Sequence, residues 1–297
     1  MTAGADPGAG PDRRITVAAG PVDVLHRLAL AVRPLDARSR AAAGPGLRVG
    51  REDGPVPGRR RPRAQGPVRP LEGHGATGFV LRHATAGGLP AVVTVRVEDP
   101  ARRWVPRRLR VPLWTRAEVS GADELPPTAP HVRADARLLL PWLLPGPAYP
   151  LPRGTTGLRL RVVRPGAAAS PVRWPRLEAF GPGGVLIGWA HGDEHGQVLL
   201  LIDGVGVLPY PMPSRFAVAL RTHAPDPPQG VPADPLEDLV AEPVVRSANP
   251  PRPEDLDNAV LRGAARPAGY RTAAADTVRT LTVGEVVHAG DLPHAPA

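Results

Sequence analysis

Apolar positions along this chain alternate far more often than they recur at helical spacing. Val93, Val95 and Val97 share one side of a stretch whose other side carries Thr94, Arg96 and Glu98. That two-residue period is the mark of a strand with one buried face. Leu28, Leu30 and Val32 alternate with Ala29, Ala31 and Arg33 before Pro34, and Leu158-Arg159-Leu160-Arg161-Val162 repeats the pattern. Phe216, Val218 and Leu220 outline another such face, and stretches 79–81, 104–111, 173–180, 185–190, 198–202 and 278–287 read as further strands. A weak strand is expected at 47–49.

Two of these stretches form a phrase that occurs twice. Gly78-Phe79-Val80-Leu81 leads into the strand at 93–98 and a stop at Pro100, and Gly196-Gln197-Val198-Leu199 leads into Phe216-Ala217-Val218-Ala219-Leu220 and Pro225. Internal self-similarity of this kind predicts two related β modules rather than one large enzyme domain.

Composition agrees. The 297 residues include 41 prolines and 33 glycines, which leaves little room for long helices or central-strand interiors without punctuation. The chain is therefore expected to be all-β, in five parts. Residues 1–21 form a disordered leader, and 22–124 a first β-sandwich module with a mobile Gly/Pro/Arg loop at 41–70. Residues 125–152, with Pro126, Pro127, Pro130, Pro141, Pro145, Pro147 and Pro150, read as a semi-rigid proline-rich linker. A second sandwich follows at 153–225. Residues 226–297 hold a proline-rich loop, one short helix and the final strand. The helix is expected at 253–263, where Pro253 and two acids open the turn and Arg262-Gly263 closes it.

Charge changes this picture little. The formal net charge is +9, but every basic residue is arginine and none is lysine, the pattern of a high-GC coding bias. Aromatics make up only 4%, too few for the interleaved stacking of a nucleic-acid surface, so nucleic acid is not expected as a partner. Cysteine is absent, which removes disulfides and thiolate metal sites. The start lacks a basic and apolar signal, and the longest apolar stretch, 138–144, is broken by Pro141. A cytoplasmic protein with no membrane partner is the expectation.

Candidate chemistry reduces mostly to turns. His191-Gly192-Asp193-Glu194-His195 places two histidines four apart with a glutamate between them, as in a helical zinc motif. Its glutamate adjoins the second histidine, and Gly188, Gly192 and Gly196 oppose a helix, so a turn between strands is expected. Gly75 to Gly78 and Gly181-Pro182-Gly183-Gly184 lead into strands, not the helix a phosphate cradle needs. No serine lies in a Gly-x-Ser-x-Gly elbow. No catalytic residue, cofactor or metal is expected. Trp174 and Trp189 are expected in the core, Trp114 and Trp142 at the joint between modules.

The order of strands and turns from Thr156 to Ala224, with Asp193 just before the glycine Gly196 that opens the next strand, resembles the carboxypeptidase regulatory-like family. Its sandwich is of transthyretin type. The first module resembles it more loosely through Leu35-Asp36-Ala37-Arg38-Ser39. The resemblance implies two tandem Ig/transthyretin-like sandwiches without catalytic residues. The segment Arg102-Arg103-Trp104-Val105-Pro106-Arg107-Arg108 is similar to components of phage-tail-like contractile injection systems of actinobacteria. The resulting expectation is a structural or assembly protein whose partners are other protein subunits. Arg102, Arg103, Trp104, Arg107, Arg108 and Trp114 form its candidate interaction surface, with Arg107, Arg108 and Arg110 solvated. The alternative is a carbohydrate- or cell-surface-binding module, with Trp104 and Trp114 facing the glycan.

Overall fold

The computed structural model describes residues 13–16, 23–26, 28–52, 68–83, 88–122, 132–133, 135–166, 169–202, 214–226, 232, 234–248 and 258–297. Strands dominate, as alternation demanded. The first half holds β1 (Arg13–Thr16), β2 (Asp23–His26), β3 (Leu28–Val32), β4 (Leu35–Asp36) and β5 (Arg48–Glu52). It continues with β6 (Val68–Pro70), β7 (Glu72–His74), β8 (Gly78–Arg82), β9 (Val92–Glu98) and β10 (Arg107–Pro112). A helix, α1 (Arg116–Ala122), precedes the short β11 (Leu138–Leu139) and β12 (Trp142–Leu143). The second half begins with β13 (Thr156–Arg164), β14 (Ser170–Pro171), β15 (Arg176–Phe180), β16 (Leu186–His191), β17 (Gln197–Ile202) and β18 (Arg215–Pro225). The strands β19 (Ala241–Pro243), β20 (Tyr270–Thr272), β21 (Thr277–Thr282) and β22 (Val286–Pro293) close the chain.

Each half builds two larger sheets. In the first they run β11-β3-β8-β7 and β19-β10-β9-β5-β6; in the second, β14-β13-β17 with β22 also on β13, and β16-β15-β18-β20 with β21 also on β18. The repeated phrase has the same role in both halves, carrying the chain from one sheet to the other: β8 to β9, and β17 to β18. The surrounding pairings match as well. The opening strands β3 and β13 pair antiparallel with β8 and β17, and parallel with β11 and β22. The crossover strands run antiparallel to all their partners: β9 lies between β10 and β5, and β18 has β15 on one side and β20 and β21 in succession on the other.

Side-chain alternation then builds the cores. Leu158, Leu160 and Val162 of β13 meet Leu177, Ala179, Val218 and Leu220 of the opposite sheet in a buried cluster. The strand β17 is buried on both faces: Val198, Leu200 and Ile202 enter that cluster, while Leu199 and Leu201 join the core of the first half. This accounts for its unbroken apolar run, because a strand covered on both sides has no polar face. Each buried leucine contributes roughly 1.5–3 kcal/mol, so Leu199 and Leu201 alone hold the halves together by several kcal/mol.

Several boundaries differ from expectation. Arg13–Thr16, inside the expected leader, pairs with Asp23–His26; residues 1–12 and 17–21 lie outside the described residues. Of the 41–70 loop, residues 48–52 and 68–70 form β5 and β6, and 53–67 lie outside the described residues. The 125–152 stretch is not a linker where it is described: β11 and β12 pair with β3 and β4, and Leu139, Trp142, Leu143, Leu144 and Tyr149 are buried. Its apolar content, not its prolines, decided its place. The expected C-terminal helix is a set of turns over 258–263, where Asn258 Oδ1 accepts from the Leu261 amide at 2.8 Å; residues 253–257 lie outside. The α-helix found, α1, is set by a capping box: the Glu118 amide donates to Thr115 Oγ1 and the Thr115 amide to the Glu118 carboxylate. The final strand at 278–287 is in fact two, β21 and β22, split by the turn at Gly284, whose φ is +80°.

Candidate functional site

The arginine-rich segment after Pro100 faces solvent only in part: Arg102 is exposed, as is Arg110 beyond it, and Arg103 is half-buried, whereas the rest is covered. Arg107 is 1% exposed, Arg108 8% and Trp104 6%, which corrects the expectation that these side chains are solvated anchors. Strand β10 lies inside its sheet, between β19 and β9, and its buried arginines end between the halves. There Arg107 Nη2 donates to Glu242 Oε1 at 3.0 Å, and Arg176 Nη2 of β15 donates to the same oxygen at 2.9 Å. Arg107 Nη1 also donates to the carbonyls of Trp142 and Leu261. One buried glutamate from the C-terminal segment thus bridges an arginine from each half.

A second cluster lies beside it. Glu52 accepts from Arg96 at 3.0 Å and from Arg108 at 2.7 Å, and Arg96 also donates to Asp234 at 2.8 Å. Arg108 reaches the carbonyls of Glu237 and Leu239. From the other half, Trp174 Nε1 donates to Asp238 at 2.7 Å, Arg173 pairs with the same carboxylate, and Trp174 packs on Leu236 and Leu239. Segment 234–242 is therefore a strap held by both halves. Arg102 of the first half pairs with Asp193 of the second at 2.5 Å, and Arg103 with Asp99 at 2.9 Å. Trp114 is half-buried, with Arg246 stacked 5.7 Å from its ring centroid.

Residues 191–196 form the expected turn between β16 and β17. Asp193 Oδ1 accepts from the amides of His195 and Gln197, both at 2.9 Å, and Gly196 has φ +74°. Among the described residues no three His, Asp or Glu side chains group as metal ligands. His191 lies 2.7 Å from the Gly263 carbonyl, an acceptor, so its Nε2 carries the proton. Burial, then Arg176 and Arg107, push its pKa well below 6.5. Burial likewise lowers His223 and His294. For a base whose folded pKa is depressed, the unfolded chain binds the extra proton, so stability is full above pH 6.5 and is lost as pH falls below it. The melting temperature is expected to hold level down to about pH 7 and to decline from there to about pH 5, with a shallower slope in His191→Gln. A flat profile in calorimetry would contradict neutral burial.

At the seam, β4 and the following turn meet β12, β16 and β17. Buried Asp36 organises the turn: its Oδ1 accepts from the amides of Arg38 and Ser39, and its Oδ2 from Trp104 Nε1 and Tyr149 Oη at 3.2 and 2.8 Å. The turn ends at Arg40, which has φ +59° and lays its guanidinium 3.4 Å from the ring centroid of Trp142. Trp142, Trp189, Gly188, Leu199 and Leu201 line a slot of about 160 Å³ beside it. Trp189, expected in the core, is half-buried, its Nε1 3.4 Å from the Arg262 carbonyl. Trp174 is buried as expected. The glycan-facing reading of Trp104 is corrected by its burial against Asp36 and Tyr149.

Sequence reasoning identified Arg102 to Arg108 but missed their partners. Glu242 stands alone in the apolar run Val240-Ala241-Glu242-Pro243-Val244-Val245, and a lone acid in such a run is the available signal of a buried pair. Asp36 and Asp238 carry no comparable signal. Among the described residues no helix is long and apolar enough to cross a membrane. Comparison with family models, curated proteins and solved structures finds no match to this chain.

Proposed function

We propose that this chain is a non-catalytic structural subunit that works through contacts with other proteins. The observation that carries the reading is the seam. A strand shared by two cores, a glutamate bridging arginines of both halves, and a strap fastened to each make the two halves one stiff unit. Stiffness of this kind suits a part that sets distance and angle in an assembly, since little freedom is lost on docking. The matching strand order of the halves supports a tandem pair of Ig/transthyretin-like sandwiches, with the carboxypeptidase regulatory-like resemblance over 156–224. The association with a contractile injection system rests on the sequence resemblance, and the Arg102–Arg108 side chains that suggested it serve the seam. The partner surface is accordingly sought outside that segment. In lysate of the producing cell, the chain is expected to sediment with a particle much larger than its own 31.2 kDa. Sedimentation solely at monomer size would overturn the assignment.

A further inference from the structure

The geometry points to the seam slot as a receptor for the C-terminus of another protein: a free carboxylate on Arg40, with the last, apolar side chain in the slot between Trp142 and Trp189. It rests on the assembly reading only in taking its ligand to be a protein chain.

Three observations carry it. The first is Arg40 itself. Stacking on Trp142 holds the face of the guanidinium at 3.4 Å and leaves its in-plane N–H groups at the edge, the arrangement that receives a carboxylate in bidentate fashion. Among the described residues, no carboxylate pairs with it. The arginines of the buried clusters differ: Arg96, Arg107, Arg108, Arg173 and Arg176 each have an acid.

The second is preorganisation. Arg40 lies in the left-handed region, where a non-glycine residue persists only if its surroundings impose it, and such outliers gather at ligand clamps. Here Asp36 imposes it, through the turn amides on one oxygen and Trp104 and Tyr149 on the other. The Arg40 amide donates back to the Asp36 carbonyl at 2.9 Å. An exposed arginine with no ion pair among the described residues is thus fixed in place by a buried network.

The third is size and lining. The slot measures about 160 Å³. A dry cavity of about 150 Å³ accepts one benzene, whereas pockets for drug-sized ligands run from about 300 Å³ upward. One apolar side chain fits and little more. Gly188 contributes no side chain, and Leu199, Leu201 and the two indoles supply an apolar wall. A single apolar group next to a fixed cation, with Arg38 also lining the slot, matches the end of a polypeptide, one of the recurring modes of peptide recognition.

The test is titration of the full chain, followed by tryptophan fluorescence and calorimetry, with a tetrapeptide ending in leucine with a free carboxylate. Saturable binding is expected. The C-terminal amide of the same peptide, and the Arg40→Gln variant, should each weaken it by at least about tenfold, as for loss of a charge-assisted hydrogen bond. A peptide ending in aspartate should bind no better than the amide. Because the amide control leaves the protein untouched, the result does not depend on how any variant folds. No saturable binding, equal binding of acid and amide, or equal displacement by acetate would overturn the proposal. Absence of peptide binding in a chain that still sediments as a large particle would refute the slot alone. Peptide binding by a strictly monomeric chain would refute the assembly reading alone.

Discussion

Glu242→Gln is expected to cost about 3–5 kcal/mol of stability, the range for removing one member of a buried charge pair, and on the order of 10 °C in melting temperature. The reason is what it leaves behind. Glu242 is 2% exposed and stands between Arg107 and Arg176, one from each half. Without its charge, two guanidinium groups face each other out of water, with Arg107 already pushed to a lower pKa by burial. Burial by itself would raise the Glu242 pKa, yet Arg107 and Arg176 together hold it below 4.5. A depressed carboxylate contributes stability above its unfolded pKa and loses it as pH falls through the folded value. The substitution should therefore flatten the acid limb of the wild-type stability curve below about pH 4.5, separately from the histidine-linked loss nearer neutrality. Glu72→Gln is the control. Glu72 also pairs with an arginine, Arg82, but is 63% exposed, and about 0–1 kcal/mol is expected. If both substitutions cost the same in denaturant titration, the glutamate bridge does not hold the halves together.

Gly196→Ala is expected to cost about 3 kcal/mol or more, at the upper end of single substitutions. Its φ of +74° disfavours any side chain, and a Cβ there would lie 2.5 Å from the Val162 carbonyl oxygen and 2.9 Å from that of Val172. The nearer oxygen cannot retreat: the Val162 carbonyl accepts the Val172 amide, and the Val162 amide donates to Gly196 itself. Gly75→Ala separates the two contributions. Gly75 has φ +60° with open space around it, so only the backbone preference is lost, roughly 1–2 kcal/mol. Equal melting temperatures for the two variants would show that the close approach at Gly196 is relieved at no cost.

The same glycine shows how far the sequence could be read. Gly78 and Gly196 stood out as the openings of a repeated phrase, and both prove to approach a carbonyl too closely for a side chain. Strands were legible because one-sided burial imprints a period of two. The helix α1 was legible in principle through Thr115 and Glu118, though the proline-rich context hid it. The seam was not legible. Alternation puts Arg107 on the face of Leu109 and Val111 and leaves Arg108 on that of Arg110, yet Arg108 is buried and Arg110 exposed, so only the segments packed on that face decide which arginine is covered.

By itself, then, the sequence determined the local terms: strands where apolar residues alternate, turns where glycine and proline interrupt them, a repeat that predicts paired modules, and the His191–His195 turn. Tertiary structure decided what is long-range. It placed the stretch around Trp142 in a core instead of a linker, because Leu139, Leu143 and Leu144 gain more from burial than the prolines lose in pairing. It set Arg107, Glu242 and Arg176 together from positions 66 residues and more apart in the chain, and it laid Arg40 on Trp142 at the mouth of the slot. Charge pairing and cavity shape depend on which surfaces meet, and no periodicity along one strand records its neighbour.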